Sequence, residues 1–354
     1  MTRRLAAWTL PLALLAAGPA WAVSNALVTR PAPDRLVVTW TDADPVDVAL
    51  AEKPDAGFTA GRPVASANRA GRVEIPVAPD ARPFILLRDG GDGRVTRVAE
   101  RVLPLAQGSN FRDLGGYPAA DGKTVRWGMI YRSGATPMLT KADMAMISGL
   151  GLKEMVDLRS SEERTLAPSK IEGVPYTAVG YSMMRMMGDR TAPISGDEQM
   201  HAVYRQMPTL LAPQLRLVFG ELLEGGGAVA YNCSAGQDRT GFTSALVLSA
   251  LGVPRATIVE DYHLSTTYRR PEFEMPIFDA AAQAANPVAK MFAGYQADPK
   301  WKTPQPLRDG QGRSLLDFAL AEVETRYGSI EAYLDKELGV DAADIAKLRA
   351  MYLE

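Results

Sequence analysis

The chain has 354 residues, a formal net charge of −2, and 47% apolar and 23% charged residues. This is the composition of an ordinary globular protein with room for two domains. No basic run or repeat is present, which argues against nucleic acid as a partner, and no segment beyond the first 22 residues is apolar enough to span a bilayer.

The chain opens with Arg3 and Arg4, the apolar stretch LAAWTLPLALLAAG, and alanines at 20 and 22. That is the pattern of a cleaved secretory signal over residues 1–22, with an apolar run too short to cross a membrane comfortably. A lipid anchor at the cut would need a cysteine there, and the single cysteine of the chain is Cys233. The mature chain is therefore expected to be exported, to the periplasm or the medium, without stable membrane insertion. Loss of Arg3 and Arg4 takes its charge from −2 to −4. Exported proteins commonly carry disulfides, but one cysteine cannot close a bridge within its own chain. Cys233 is either a buried inert thiol or a reactive one.

Residues 23–105 read as a small all-β, sandwich-like domain. RLVVTW (35–40), VDVALAE (46–52), GRVEIPV (71–77), RPFILLRD (82–89) and GRVTRVAERVLPL (93–105) carry β-branched or alternating patterns. Turn-forming clusters, RPAPD, DADP, AGRP and DGGDG, separate them. LVVTW resembles the tryptophan-bearing strand of fibronectin type III domains. No cluster of His, Asp or Cys suggests chemistry here, so a binding or spacer module is the expectation.

From residue 106 to 354 strands and helices alternate. LTKADMAMISGLG predicts a helix capped by Thr140 and stopped at Gly149 or Gly151. KEMVDL (153–158) and GAVAYN (227–232) read as buried strands. DEQMHAVYRQM, APQLRLVFGELLEGGG, TGFTSALVLSALG and a segment opened by Pro254 read as helices. Three more helices follow: one near 314–327, one capped by Ser329 and one capped by Asp341. The alternation predicts an α/β domain whose central sheet is largely parallel and flanked by helices.

Cys233 falls between a buried strand and a helix, and Arg239 lies six residues on. Ser234, Ala235 and Gly236 are small enough for the backbone to curl tightly and turn its N–H groups inward. With Gln237 and Thr240 they would line an anion site, and the planar fork of Arg239 can grip two phosphate oxygens. The same field lowers a thiol from about 8.5 into the range ~3.5–7.5. A thiolate beneath a bound phosphate is a nucleophile in line with phosphorus, and implies a phosphocysteine that water later hydrolyses. Thr240 can offer its hydroxyl to the sulfur. Asp238 is the candidate general acid, and Asp157, at the end of EMVDL, is the second candidate. His201 and His263, the two histidines, lack ligand-like spacing, so neither metal nor cofactor is expected.

The loop resembles the Cys-x5-Arg signature of the protein tyrosine phosphatase superfamily. More closely, it resembles the bacterial secreted tyrosine/serine (dual-specificity) phosphatases, whose loop reads His-Cys-x-x-Gly-Lys-Asp-Arg-Thr-Gly. NFRDLGGY (110–117) with VRWGMIYRSG (125–134), VDLRSSEER (156–164) and the segment 327–354 are similar to other markers of that family. The resemblance implies a tyrosine-phosphatase-like catalytic domain over 106–354, with Cys233 as nucleophile, Arg239 as phosphate clamp and Asp238 as proton donor. Two positions depart. Asn232 stands where the family has histidine, and an amide carries no charge to favour the thiolate. Gln237 replaces a lysine that would attract highly phosphorylated substrates, which tilts the expectation toward phosphoproteins or simple monoesters.

Four methionines in YSMMRMMGDR (181–190) read as core packing or as an apolar cover over the site. Arg132 and Arg159 can approach the phosphate or form buried ion pairs with Asp113, Asp157 or Glu162. Arg269 and Arg270 read as a solvated helix end. Three functions follow: a metal-independent phosphatase for phosphotyrosine and phosphoserine, a phosphoinositide or inositol-phosphate phosphatase, or a catalytically weak phosphate-binding protein. An enzyme is expected to keep activity on small esters when residues 23–104 are deleted.

Overall fold

The computed structural model describes residues 23–184 and 196–354. The signal expected over 1–22, and Met186 and Met187, lie outside the described residues. Residues 24–99 form two antiparallel sheets. One holds β1 (Ser24–Ala32), β2 (Arg35–Thr41) and β5 (Arg72–Pro76) in the order β1-β2-β5. The other holds β3 (Val46–Ala51), β4 (Arg62–Asn68), β6 (Phe84–Asp89) and β7 (Val95–Ala99) in the order β4-β3-β6-β7.

Alternation places the core. Leu36, Val38 and Trp40 of β2 meet Val48, Ile85 and Leu87 of the facing sheet, with Ile75 and Val28 completing the layer. β6 departs from alternation because Phe84, Ile85, Leu86 and Leu87 are all buried. Its second face, Phe84 and Leu86 with Ala49, Ala51 and Ala99, is covered by Trp127 from the following part of the chain.

β1 and β4 occupy stretches that their proline-containing sequences mark as turns. Both are edge strands, where Pro31 and Pro63 need donate to no ladder. The strand expected over 93–105 ends at Ala99, and the chain then changes sheets. Arg101 to Leu103 pairs with Phe111 to Asp113 through Leu103 N–H to Phe111 O and Asp113 N–H to Arg101 O, both 3.0 Å. Asp42 and Asp44, two residues apart, and the distant Asp89 bring carboxylate oxygens within 4.8 Å of one another.

The third sheet has the order β11-β10-β12-β9-β8. Its strands are β8 (Arg112–Asp113), β9 (Ile130–Ser133), β10 (Leu152–Asp157), β11 (Tyr176–Ala178) and β12 (Ala228–Asn232). β9, β10, β11 and β12 run parallel; β8 is antiparallel to β9. β12 is central and buried at every position, as a strand covered by helices on both faces must be. The helix Asp238–Ala250 that follows is buried except at Asp238 and Ser249. The helices Asp197–Leu210, Arg255–His263, Leu315–Tyr327 and Ala342–Tyr352 pack against it, and Ala212–Glu224 packs on β10 and β12.

The caps read from sequence form. Thr140 closes a capping box with Asp143, Ser329 caps Ile330–Tyr333 and Asp341 caps Ala342–Tyr352. Gly115 and Gly116 let Trp127 lie on the backbone, since a Cβ at either would come within 2.4 Å of it.

Candidate active site

Cys233 follows β12 directly, and Asp238 opens the next helix. Between them the backbone turns at Gly236, φ +63°, where a Cβ would sit 2.4 Å from the Ser133 carbonyl carbon. The loop is thus pressed against the end of β9.

The loop's carbonyl oxygens are held from outside. Asn110 Nδ2 donates to the carbonyls of Ala235 (3.1 Å) and Gly236 (2.8 Å). Arg132 Nη2 donates to Gly236 O at 2.9 Å, and Ala135 N–H to Ser234 O at 2.9 Å. In a trans peptide the C=O and the next N–H point opposite ways. The outward carbonyls therefore turn the N–H groups of Ala235, Gly236 and Gln237 inward. Among the described residues these amides have no hydrogen-bond partner. They form an anion-binding nest at a helix N-terminus.

Arg132 and Arg112 are themselves fixed by Asp261, which accepts from Arg132 Nη1 (2.6 Å), Arg112 Nε (3.2 Å) and Tyr117 OH (2.9 Å). Burial would raise the Asp261 carboxyl, but the two guanidiniums outweigh it and hold the group well below the usual carboxylate range. Arg132 and Asp261 are thus an ion pair. Asp113, Asp157 and Glu162, read from sequence as its acceptors, are not its partners.

Arg239 is buried with Glu163. Nη1 and Nη2 donate to the two Glu163 oxygens at 2.7 and 2.6 Å, and Nη1 also donates to Tyr181 OH at 2.7 Å. Of the five guanidinium donors, Nε–H and the second Nη2–H remain, and these lie on one edge. That edge is the fork a phosphate needs. Glu163 Oε1 also accepts from Ser234 Oγ at 2.6 Å, and Oε2 from the Ser160 N–H at 2.9 Å, so the acid locks clamp and loop together. Burial raises Glu163, but Arg239 overcomes this and brings it to about 2 from an ordinary 4.5.

That shift has a consequence for acid stability. Glu163 stays ionised in the fold while the unfolded chain takes up a proton between pH 4.5 and about 2. Its contribution, about 3 kcal/mol, is complete above pH 4.5 and is lost as the pH falls through that window. Urea midpoints at stepped pH should fall less steeply below pH 4.5 in Glu163→Gln than in the parent.

Cys233 is 1% exposed. Arg239, Arg269 and Tyr181 all stand close enough to feel charge on its sulfur. Asp238 is partly exposed at the first turn of its helix. Its Oδ1 accepts from Tyr204 OH and, at 3.2 Å, from Gln237 Nε2, while Oδ2 receives only a 3.4 Å contact from Gln237. Tyr204 OH is in turn 2.5 Å from Tyr262 OH.

Other residues depart from expectation. Asp157 is enclosed, accepting from Arg159 Nε at 3.0 Å and Nη2 at 2.6 Å and from Tyr176 OH, so it has no free oxygen to serve as an acid. Arg159 instead bears out one of the alternatives read from sequence: it forms the buried ion pair with Asp157 and donates to Ala167 O. Thr240 does not donate to the sulfur: its hydroxyl is buried without a partner among the described residues. Asn232 makes one long contact, Nδ2 to Cys233 O at 3.4 Å, and its Oδ1 has no partner among the described residues. Met183 packs with Leu166 and Val288, whereas Met184 is exposed. Arg269 is no solvated helix end. It is fixed by Glu274 at 2.8 and 2.9 Å and reaches Gln237 Oε1 at 3.3 Å.

Asn110, Glu163, Tyr181, Tyr204 and Asp261 were not singled out in the sequence. Only Glu163 left a local signal: it is the fourth residue of the capping box opened by Ser160.

The comparisons with known proteins agree with this geometry. The model of the tyrosine phosphatase family matches residues 103–354. A Cupriavidus necator protein named as a putative tyrosine-protein phosphatase is 33% identical over 260 residues, covering 69% of this chain and 86% of that protein. A tyrosine-protein phosphatase of Nostoc commune is 28% identical, covering 82% and 90%. The triple specificity protein phosphatase PtpB of Mycobacterium tuberculosis is 28% identical, covering 72% and 100%. A cysteine in an amide nest, an arginine with one edge free and a family match over most of the length converge, and the chain belongs to the tyrosine phosphatase family.

Proposed function

We propose that the protein is an exported, metal-independent phosphatase that hydrolyses phosphomonoesters through a phosphocysteine, with phosphotyrosine as its principal substrate and phosphoserine as a second. The observation that carries this reading is the inward nest of amides around Cys233 together with the unoccupied edge of Arg239. These donors supply the positive field for equatorial phosphate oxygens that a metal supplies elsewhere.

The Cys233 sulfur attacks phosphorus as the ester oxygen departs, and Asp238 gives that oxygen a proton. Oδ2, the less engaged oxygen of Asp238, is the one available to carry it. Water then attacks the phosphocysteine, Asp238 takes its proton, and phosphate and thiolate are released. Export rests on the basic, apolar and small-residue pattern of residues 1–22.

Phosphoinositide substrates are a second reading, favoured by Arg269: it places a second guanidinium beside Gln237, where the resembling enzymes carry lysine. Rates on a phosphotyrosine peptide and on a soluble phosphoinositide separate the two.

Asp238→Asn tests the mechanism. p-Nitrophenolate leaves without a proton, so with chelator present the variant should keep p-nitrophenyl phosphate turnover within about tenfold while losing roughly 10²–10⁴-fold on phosphotyrosine. Equal losses on both would remove Asp238 as the acid. Vanadate binding without turnover in the parent would make the chain a phosphate-binding protein.

A further inference from the structure

One of the residues that pull the loop carbonyls outward, Asn110, sits on a short piece of chain. β8 has two residues and lies at the edge of its sheet. Asn110, just before it, adopts φ +56°, a conformation a non-glycine residue keeps only when its surroundings impose it. So short a strand has few ladder bonds of its own. Asn110 N–H is held by Tyr268 O at 3.0 Å and Arg112 by Asp261, and the rest of the support for this stretch comes through its neighbours.

The anchor at the far end comes from the β sandwich. Arg82 Nη2 donates to Asp113 Oδ2 at 2.9 Å, with the two side chains 4% and 0% exposed. Arg82 Nε holds Glu100 O at 2.8 Å. The same Asp113 carboxylate accepts the N–H groups of Gly115 and Gly128, both at 2.8 Å. Arg101 Nη1 donates to Asp113 O at 2.7 Å, and its guanidinium lies over the rings of Tyr117 and Trp127. Trp127 seals the contact by donating to Arg97 O at 3.0 Å. One covalent step from Asp113, Arg112 binds Asp261 and donates to Asn110 Oδ1. The line of contacts runs from Arg82 through Asp113, Arg112 and Asn110 to the carbonyls of Ala235 and Gly236.

We propose that Arg82 is a positioning residue for the catalytic loop, and that the N-terminal β sandwich is thereby part of the catalytic body rather than a spacer. This rests on the loop 233–239 being the reaction site. It reverses the expectation that deleting 23–104 spares activity on small esters. That cut removes Arg82, Arg101 and the backbone partner of β8.

The test uses the full mature chain, with p-nitrophenyl phosphate turnover and vanadate affinity measured at a temperature where circular dichroism shows a folded protein. Arg82→Met is expected to lower kcat and weaken vanadate binding by about tenfold or more, because small displacements of reacting groups are costly. Arg82→Lys is expected to recover part of both. Arg82→Met leaves Asp113 charged and buried, so it is paired with the double variant Arg82→Met/Asp113→Asn, which removes that charge. A double variant that regains thermal stability but keeps the deficits supports the proposal. A lowered Tm with kcat and vanadate affinity within twofold of the parent, in either variant, overturns it. Cys233→Ser is run alongside. Turnover that depends on Cys233 but not on Arg82 sinks only this proposal, whereas turnover indifferent to Cys233 sinks the reading of the site.

Discussion

Cys233→Ser is expected to lose about 10⁴-fold or more in turnover on p-nitrophenyl phosphate, roughly 5.5 kcal/mol of barrier, while folding and binding inorganic phosphate like the parent. A serine hydroxyl needs a base to become a nucleophile, and Asp238, the carboxyl of the loop, is already protonated in that step to serve the leaving oxygen. Glu163 also braces the loop, but both its oxygens are filled by Arg239, Ser234 and Ser160, and it holds a proton only near pH 2. Asp238 is turned toward Tyr204 and Gln237. The amide nest depends on Asn110, Arg132 and Ala135, none of which the substitution touches. Binding and chemistry should therefore separate cleanly. Turnover within tenfold of the parent would end the phosphocysteine mechanism.

Arg239→Lys should cost about 10²–10³-fold in kcat/KM, the size of effect seen when one preorganised oxyanion donor is lost. Lysine keeps the charge and can still meet Glu163, so the buried acid is not stranded. What disappears is the edge formed by Nε and Nη2, the two donors left over once Glu163 and Tyr181 have taken the others. A point charge cannot grip two oxygens from behind a carboxylate. Vanadate affinity should fall with kcat/KM, because the missing donors face the anion itself. Unchanged vanadate affinity would mean that Arg239 only braces Glu163.

The contrast between what the chain reveals and what it hides follows from distance along it. The nest was legible because its small residues, its glycine and its arginine are consecutive, and because a strand and a helix flank them. The caps at Thr140, Ser329 and Asp341 were legible for the same reason. The partners were not. Glu163 is 76 residues from Arg239, and Asp261 is 129 from Arg132. Nothing in a carboxylate's neighbours says which distant guanidinium it will meet. Asp157 was misjudged as an acid because its position at a strand end is visible and its enclosure by Arg159 and Tyr176 is not. The edge strands were hidden by their prolines, which forbid a central strand but permit an outer one.

The doubly covered strand β6 bears on how the protein is made. A ribosome delivers residues 84–87 well before residue 127, so an early sandwich would present Phe84 and Leu86 without the indole that completes their cover, with only Ala56 and Phe58 packed there. Its maturation has to wait for later synthesis, and a stalled or prematurely terminated chain would carry an adhesive surface rather than a finished module.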